Sequence, residues 1–326
     1  MKVAEPPTQA LCDDCAEALA HFRDALEERH ASDLTIKIYM TGAERFLRFL
    51  EHQMGLRVGL DKVSREHARE WLRSLRESHL MPATIRTLYQ AARQMIKAAQ
   101  EDGEVLGDNP FDGLPLPTVE MKEVSLLSLE EIQAMVAAAK RDKTTAGFWG
   151  ARDQALIAIL YDTGIRASEI IGIKPGDIDW QVGRILVHGK SRRERWVGLG
   201  ALACRALNKY LNKRKRYEIG KRWWQTEGEE TSIWLSRRGG LLTTWGLSKA
   251  LQRRAREASI TKKVHTHMFR HSAATVLSSD MSEAELRVHF GWSPTSPQVY
   301  RYTRQGLADR AVVSHRRAAP SDRLRL

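Results

Sequence analysis

Asp177-Ile-Asp-Trp-Gln-Val-Gly183-Arg-Ile-Leu-Val-His188-Gly-Lys190-Ser-Arg-Arg-Glu-Arg195-Trp-Val-Gly-Leu199 is the stretch that decides the fold. Three short β-rich runs stand in it: Asp177 to Trp180, Gly183 to His188, and Arg195 to Leu199. Turn residues separate them, so they predict a small antiparallel sheet. The surrounding chain reads as helix. Ser128-Leu-Glu-Glu131 is a capping box that opens one helix. Residues 151–163 read as another, and from Ala201 onward the pattern is again mostly helical. The expectation is a mainly α (α+β) chain whose second half packs helices around a small antiparallel sheet.

Working towards the N-terminus, Pro110, Pro115 and Pro117 crowd together after Asp108-Asn109. Proline at that density stops helices and marks a linker. Before it, Tyr39, Ala43, Phe46, Leu47 and Leu50 recur at helical spacing. Ser64 reads as an N-cap to a stripe of Ala68, Trp71, Leu72 and Leu75. Pro82 opens a third helix whose apolar face is Ile85, Leu88, Ala92, Met95, Ile96 and Ala99. Arg86, Arg93 and Lys97 align on its other side. That side reads equally as a phosphate-facing strip or as an ordinary solvated face. The expected division is an N-terminal extension at 1–29, a helical domain at 30–110, a linker at 111–124 and a second domain at 125–326. A length of 326 residues suits two domains of roughly 100–200 residues each. There is no internal repeat and no low-complexity tract.

Lys and Arg total 52 against 40 Asp and Glu, a formal charge of +12. Such an excess favours a polyanionic partner, nucleic acid or an anionic membrane surface. No run reaches the ~18 apolar residues that span a bilayer, and the start has no signal-peptide core. The expectation is a cytoplasmic protein with a nucleic-acid partner and no membrane. The three cysteines are too few for a disulfide framework. Cys12-x-x-Cys15, with His21 and His30 downstream, invites a zinc reading. Zinc wants four ligands at tighter spacings, so the pair reads as incidental at a helix start, and no metal is expected.

The sequence shows no Gly-rich nucleotide loop, no HExxH and no two-metal cluster of carboxylates. The informative residues are basic or aromatic. In Tyr161-Asp-Thr-Gly-Ile-Arg-Ala-Ser-Glu-Ile170, Gly164 breaks one helix and Ala167 begins the next. Arg166 then sits at a helix N-terminus, where phosphate binds well, with Glu169 placed to fix it. Thr266 can cap a helix that projects His267 and Arg270 from one face, with His271 beside them. Lys190 occupies the tip of the strand pair. Each has a bland reading: a turn arginine, a chance His-x-x-Arg, a solvated basic hairpin. Their order within one domain of a basic protein weighs against three coincidences. Phe290-Gly-Trp292-Ser-Pro-Thr-Ser-Pro-Gln-Val-Tyr300-Arg-Tyr302-Thr-Arg304 then adds a candidate nucleophile.

Thr163-Gly-Ile-Arg-Ala-Ser-Glu169, Gly189-Lys190, His267-x-x-Arg270 and Gly291-Trp292 occur in order, and with them the chain closely resembles the tyrosine recombinase (phage integrase) family. Ser78-His-Leu-Met-Pro-Ala-Thr-Ile85 and Asn109-Pro110 resemble that family's core-binding domain. The resemblance runs from about residue 30 to about 310. It implies a core-binding domain at 30–110, a catalytic domain at 125–326, and a catalytic set of Arg166, Lys190, His267, Arg270, Trp292 and Tyr302. Trp292 stands where many members carry His. Many members place the tyrosine nine residues further on, which here is Arg301; Tyr300 lies at eight and Tyr302 at ten. A Gly-Trp-Ser-Pro subset has Arg-Tyr at ten, which favours Tyr302 and leaves Tyr300 as the competitor.

The implied reaction is attack of a tyrosine oxygen on a DNA phosphorus, loss of the 5′-hydroxyl and a 3′-phosphotyrosine link. Arg166 and Arg270 suit it, because guanidinium forks clamp phosphate oxygens and stay protonated. His267 donates to an oxygen or helps take the tyrosine proton, and Trp292 offers its indole N–H. Lys190 is the candidate acid for the leaving oxygen, with Arg192 and Arg193 lowering its pKa and contacting DNA. The covalent link stores the bond energy, so no cofactor and no ATP are expected. The implied partners are double-stranded DNA with specific core sites, a homo-tetramer that exchanges strands through a Holliday junction, and an accessory directionality factor. Two alternatives stay open: a non-catalytic DNA-binding protein of this fold, and a type IB topoisomerase-like or telomere-resolving enzyme.

Overall fold

Two compact units divide the chain, Met1–Lys122 and Glu123–Leu326. The structure, a computed structural model, describes residues 11–53, 55, 59–118, 125–189, 194–218, 231–303, 311–312, 315–317 and 319–323.

In the first unit the described helices are α1 (Asp13–Glu28), α2 (Asp33–Gln53), α3 (Arg65–Glu77) and α4 (Pro82–Glu101). Ser64 caps α3 by accepting from the His67 N–H, and Pro82 is the first residue of α4. The apolar stripes of α2, α3 and α4 face one core. Phe46, Trp71 and Phe111 meet there, with centroids 4.8–5.9 Å apart. Phe111 belongs to the turn after α4. The Asn109 side chain holds that turn, donating to the Arg93 carbonyl at 3.1 Å and accepting the Phe111 N–H at 3.1 Å. Phe111 and Leu114 thus belong to this core, within the stretch that prolines alone marked as linker. Residues before 30 also belong to it. Cys15, Phe22 and Leu26 of α1, seven and four apart, form a stripe against α2 and α4.

In the second unit, α5 (Leu129–Arg141) and α6 (Thr144–Thr163) precede a short α7 (Ala167–Ile171). The first turn of α6 is not regular helix: Thr145, Ala146 and Gly147 have positive φ. The sheet follows, β1 (Ile178–Asp179), β2 (Arg184–His188) and β3 (Glu194–Gly198), antiparallel in the order β1-β2-β3. Ile185 stands opposite both Ile178 and Val197, so one face of the sheet is apolar and buried. Then come α8 (Ala201–Glu218), α9 (Thr244–Glu257), α10 (Thr266–Leu277), α11 (Glu283–Phe290) and α12 (Gln298–Thr303). α6 runs through the centre of this unit, packing on α5, α8 and α10.

An ion network ties α6 to α9 inside the core. Asp153 Oδ1 accepts from Arg152 Nε at 2.9 Å and Nη2 at 2.7 Å. Its Oδ2 accepts from Arg253 at 2.7 Å and Arg254 at 2.8 Å. Arg152, Asp153 and Arg254 are all buried. Burial alone would raise the Asp153 carboxyl; the three guanidinium groups bring it down instead. Among the described residues no helix is long and apolar enough to cross a membrane.

Candidate active site

Two helix ends that need glycine help assemble the site. Gly164 ends α6 in the left-handed region, at φ 60°. A Cβ there would lie 2.7 Å from the Phe290 ring and 3.0 Å from Ala273. The reversal presents Arg166 as the N-cap of α7. Gly291 ends α11 in the same way, φ 60°, with the Arg195 guanidinium 3.1 Å from where its Cβ would be. That turn brings Trp292 back over Phe290.

Glu169 is the hidden centre of the charge arrangement. It is 3 % exposed. Arg166 gives it the backbone N–H at 2.8 Å and the guanidinium at 2.8 Å. Arg195 of β3 binds both its oxygens, at 2.9 and 3.0 Å, and donates to the His289 carbonyl at 2.7 Å. Burial opposes the charge, yet these donors hold the Glu169 carboxyl down at about 2. One carboxylate therefore fixes two arginines from separate elements.

Arg270 is 5 % exposed and donates to the Gly164 carbonyl at 3.0 Å and the Phe290 carbonyl at 2.7 Å. Its guanidinium carbon lies 4.9 Å from the Phe290 ring centroid and 5.7 Å from that of Trp292. Burial, with Arg166 near, lowers its pKa to about 10, so it stays a cation at neutral pH. α10 begins one residue earlier than Thr266 capping would have it. His265 is the extended N-cap, with no side-chain cap bond, and Thr266 is already the first residue of the helix. His267 and His271 are one turn apart on α10, ring centroids 5.2 Å apart. Desolvation, Arg270, His265 and Arg166 all push the His267 imidazole down.

Tyr302 completes the group. Its ring stacks on Trp292 at 5.6 Å and 2°, and Trp292 stacks on Phe290 at 4.7 Å and 19°. Its hydroxyl is hydrogen-bonded to Nδ1 of His271. Ser278 donates to its backbone carbonyl at 3.3 Å. Tyr302 is 7 % exposed, whereas Tyr300 is 60 % exposed. Desolvation raises the Tyr302 pKa, with Arg301 and Arg270 pulling the other way.

Arg166, His267, Arg270, Trp292 and Tyr302 are thus gathered in the second unit. Lys190, Arg192 and Arg193 lie outside the described residues. In the first unit Arg86 and Lys97 are exposed on α4, with Lys97 Nζ 3.5 Å from Glu101, and Arg93 is bound to Asp112 at 2.6 Å. Sequence reasoning did not assign His271, Arg195 or His289. His289 Nε2 donates to the Thr163 carbonyl at 2.9 Å, bracing the turn that carries Arg166.

A fixed pair of arginines, a tyrosine beside them and a stacked indole are the parts of a phosphoryl-transfer site that uses a protein nucleophile. The family model described as "Phage integrase family" matches residues 125–306. The chain belongs to that family, the tyrosine recombinases. Within it, the chain is 35 % identical over 296 residues to the tyrosine recombinase XerC of Oceanobacillus iheyensis, covering 89 % of this chain and 93 % of the relative. It is 30 % identical over 292 residues to XerC of Bacillus subtilis, covering 88 % and 92 %. Among solved structures it resembles a Tn1549 transposon integrase in complex with transposon right end DNA, TM-score 0.69, 20 % identity, covering 93 % and 99 %. It also resembles the XerH site-specific recombinase bound to a palindromic difH substrate, TM-score 0.69, 20 % identity, covering 96 % and 100 %. These two share the fold.

Proposed function

We propose that this recombinase cleaves and rejoins double-stranded DNA at specific core sites through a 3′-phosphotyrosine link made by Tyr302. The observation that carries this is the placement of the Tyr302 hydroxyl, bonded to His271 and stacked on Trp292 beside the Arg270 cation. Arg166 and Arg270 hold the non-bridging oxygens of the scissile phosphate, where charge builds as phosphorus becomes five-coordinate. Glu169 keeps Arg166 in place without drawing Arg270 from its two carbonyls. His271, with its proton on Nε2, accepts the Tyr302 proton at Nδ1 as the tyrosine oxygen attacks. His267, next to it, donates to a phosphate oxygen. Lys190 protonates the leaving 5′-oxygen; that role rests on family resemblance.

The strip of Arg86, Arg93 and Lys97 is the phosphate-facing surface of the first unit, with Arg192 and Arg193 adding contacts from the second. Binding would exchange the carboxylates of Asp112 and Glu101 for DNA phosphates. By family resemblance, four copies assemble on two sites and exchange strands through a Holliday junction, with a directionality factor as a further partner in the cell.

Two labelled duplexes tiled from the DNA flanking the gene test the reading. The expected product is a recombinant carrying both labels. Relaxation of a supercoiled plasmid without exchange would assign a topoisomerase-like enzyme instead. Binding with neither product would leave only a DNA-binding module.

A further inference from the structure

The Cys12-x-x-Cys15 pair looks incidental in the sequence, but the fold closes a third ligand onto it. Cys12 is the N-cap of α1 and Cys15 lies in its first turn. Glu51 stands in the last turn of α2, 39 residues from Cys12. Both sulfur atoms and a Glu51 carboxylate oxygen lie within 4.8 Å of one another. The Cys12 backbone N–H donates to Glu51 Oε1 at 2.6 Å, which fixes the carboxylate beside the thiols. The histidines downstream play no part: His21 is engaged by Glu104 at 2.7 Å.

We infer that Cys12, Cys15 and Glu51 form a site for a thiophilic divalent cation of the zinc class, which fastens the start of α1 to the end of α2. A tetrahedral zinc ion with Zn–S of about 2.3 Å and Zn–O of about 2.0–2.2 Å separates its donors by roughly 3.6–3.8 Å. The observed grouping, with all three donors within 4.8 Å of one another, is close to that spacing. Cys12 and Glu51 are half-buried, so the cation has a path in and water can take the fourth position. The donor set is two soft sulfurs and one oxygen, which selects zinc over magnesium or calcium.

The electrostatics agree. Burial first, then Cys12 and Glu51, push the Cys15 thiol far up. Two thiolates and a carboxylate gathered this closely are stable together when a divalent cation lies between them. Binding balances as two thiols plus one divalent cation giving two metal-bound thiolates and two protons. The site would stabilise the folded first unit by mass action, since the unfolded chain does not bring Glu51 to the pair.

Cobalt titration of the full-length, metal-free chain under a phosphine reductant tests this. One equivalent of cobalt should produce a thiolate-to-cobalt charge-transfer band and release protons, and zinc should displace it. Cys12→Ser and Glu51→Gln, both at half-buried positions, should each weaken binding by more than the roughly 100-fold that outer-sphere changes cost. Cys204→Ser should leave binding unchanged. A reduced chain that gives no charge-transfer band would overturn the proposal. So would a band that survives Cys12→Ser, or one that Cys204→Ser removes.

Discussion

Burial, with His267, Arg301 and Arg270 near it, brings the His271 imidazole down to about 4, so at neutral pH it is an uncharged acceptor beside the Tyr302 hydroxyl. Desolvation raises the tyrosine itself, which therefore depends on an acceptor to lose its proton. His271→Phe, which keeps the ring, should slow covalent DNA linkage by about 10²–10⁴-fold, the usual worth of a positioned base. The variant's rate should then climb with alkaline pH while the wild-type rate stays level; identical pH profiles would assign His271 a packing role. The arginines were legible in the sequence because charge and motif agree on them. His271 was in view beside Arg270, but its partner stands 31 residues further on, a distance no helical spacing reports. Arg195 was hidden likewise. It reads as the end of a basic hairpin, and only the fold brings it to Glu169, 26 residues earlier. Trp292 was expected both to offer its N–H and to pack, and its ring is stacked between Phe290 and Tyr302.

At the scale of elements, the helices and the sheet followed from periodicity, capping and turn residues. Ser64, Pro82 and Ser128 each start a helix as their chemistry requires. The stripe of α1 was harder to read because Ala16, Ala18, Leu19, Ala20 and Ala25 stand between Cys15, Phe22 and Leu26 and blur the contrast between apolar and polar faces. Arg152 and Asp153 look like ordinary surface charges on a helix, yet they are buried against α9. Asp153→Ala should cost about 3–5 kcal/mol, since it leaves buried guanidinium groups without their carboxylate. Urea unfolding of the variant measures this, and a cost below about 1 kcal/mol, the scale of exposed pairs, would contradict the buried network. Gly164→Ala adds about 1–3 kcal/mol of backbone strain and drives a methyl into Phe290 and Ala273. The same unfolding measurement should show that loss, and DNA cleavage should fall with it because Arg166 and Arg270 both hang on that turn.

For the whole molecule, the formal charge of +12 and the clamp residues act on one polyanion. DNA affinity should fall linearly on a log–log plot against salt, by about 0.9 per phosphate neutralised. Arg86→Ala should lower that slope by about one on any sequence; a slope unchanged would remove α4 from the interface. Stability carries its own pH signature. The His271 pKa of about 4 lies below the ordinary 6.5, and burial lowers His267 and His289 as well. As pH falls, the unfolded chain takes up these protons first, so stability present above about 6.5 is lost between 6.5 and 4. The Glu169 contribution is present above 4.5 and is lost only as pH falls towards 2. Denaturation curves at stepped pH should show the imidazole loss first, reduced in His271→Phe.

The central claim is that Tyr302 is the atom donor of the covalent link. A nicked duplex that traps the cleaved strand, followed by protease digestion and mass spectrometry of the DNA-linked peptide, reads the attachment directly. The account predicts the phosphonucleotide on Tyr302, no adduct from Tyr302→Phe and a full adduct from Tyr300→Phe. A phosphonucleotide on Tyr300, or an adduct that persists in Tyr302→Phe, would contradict it.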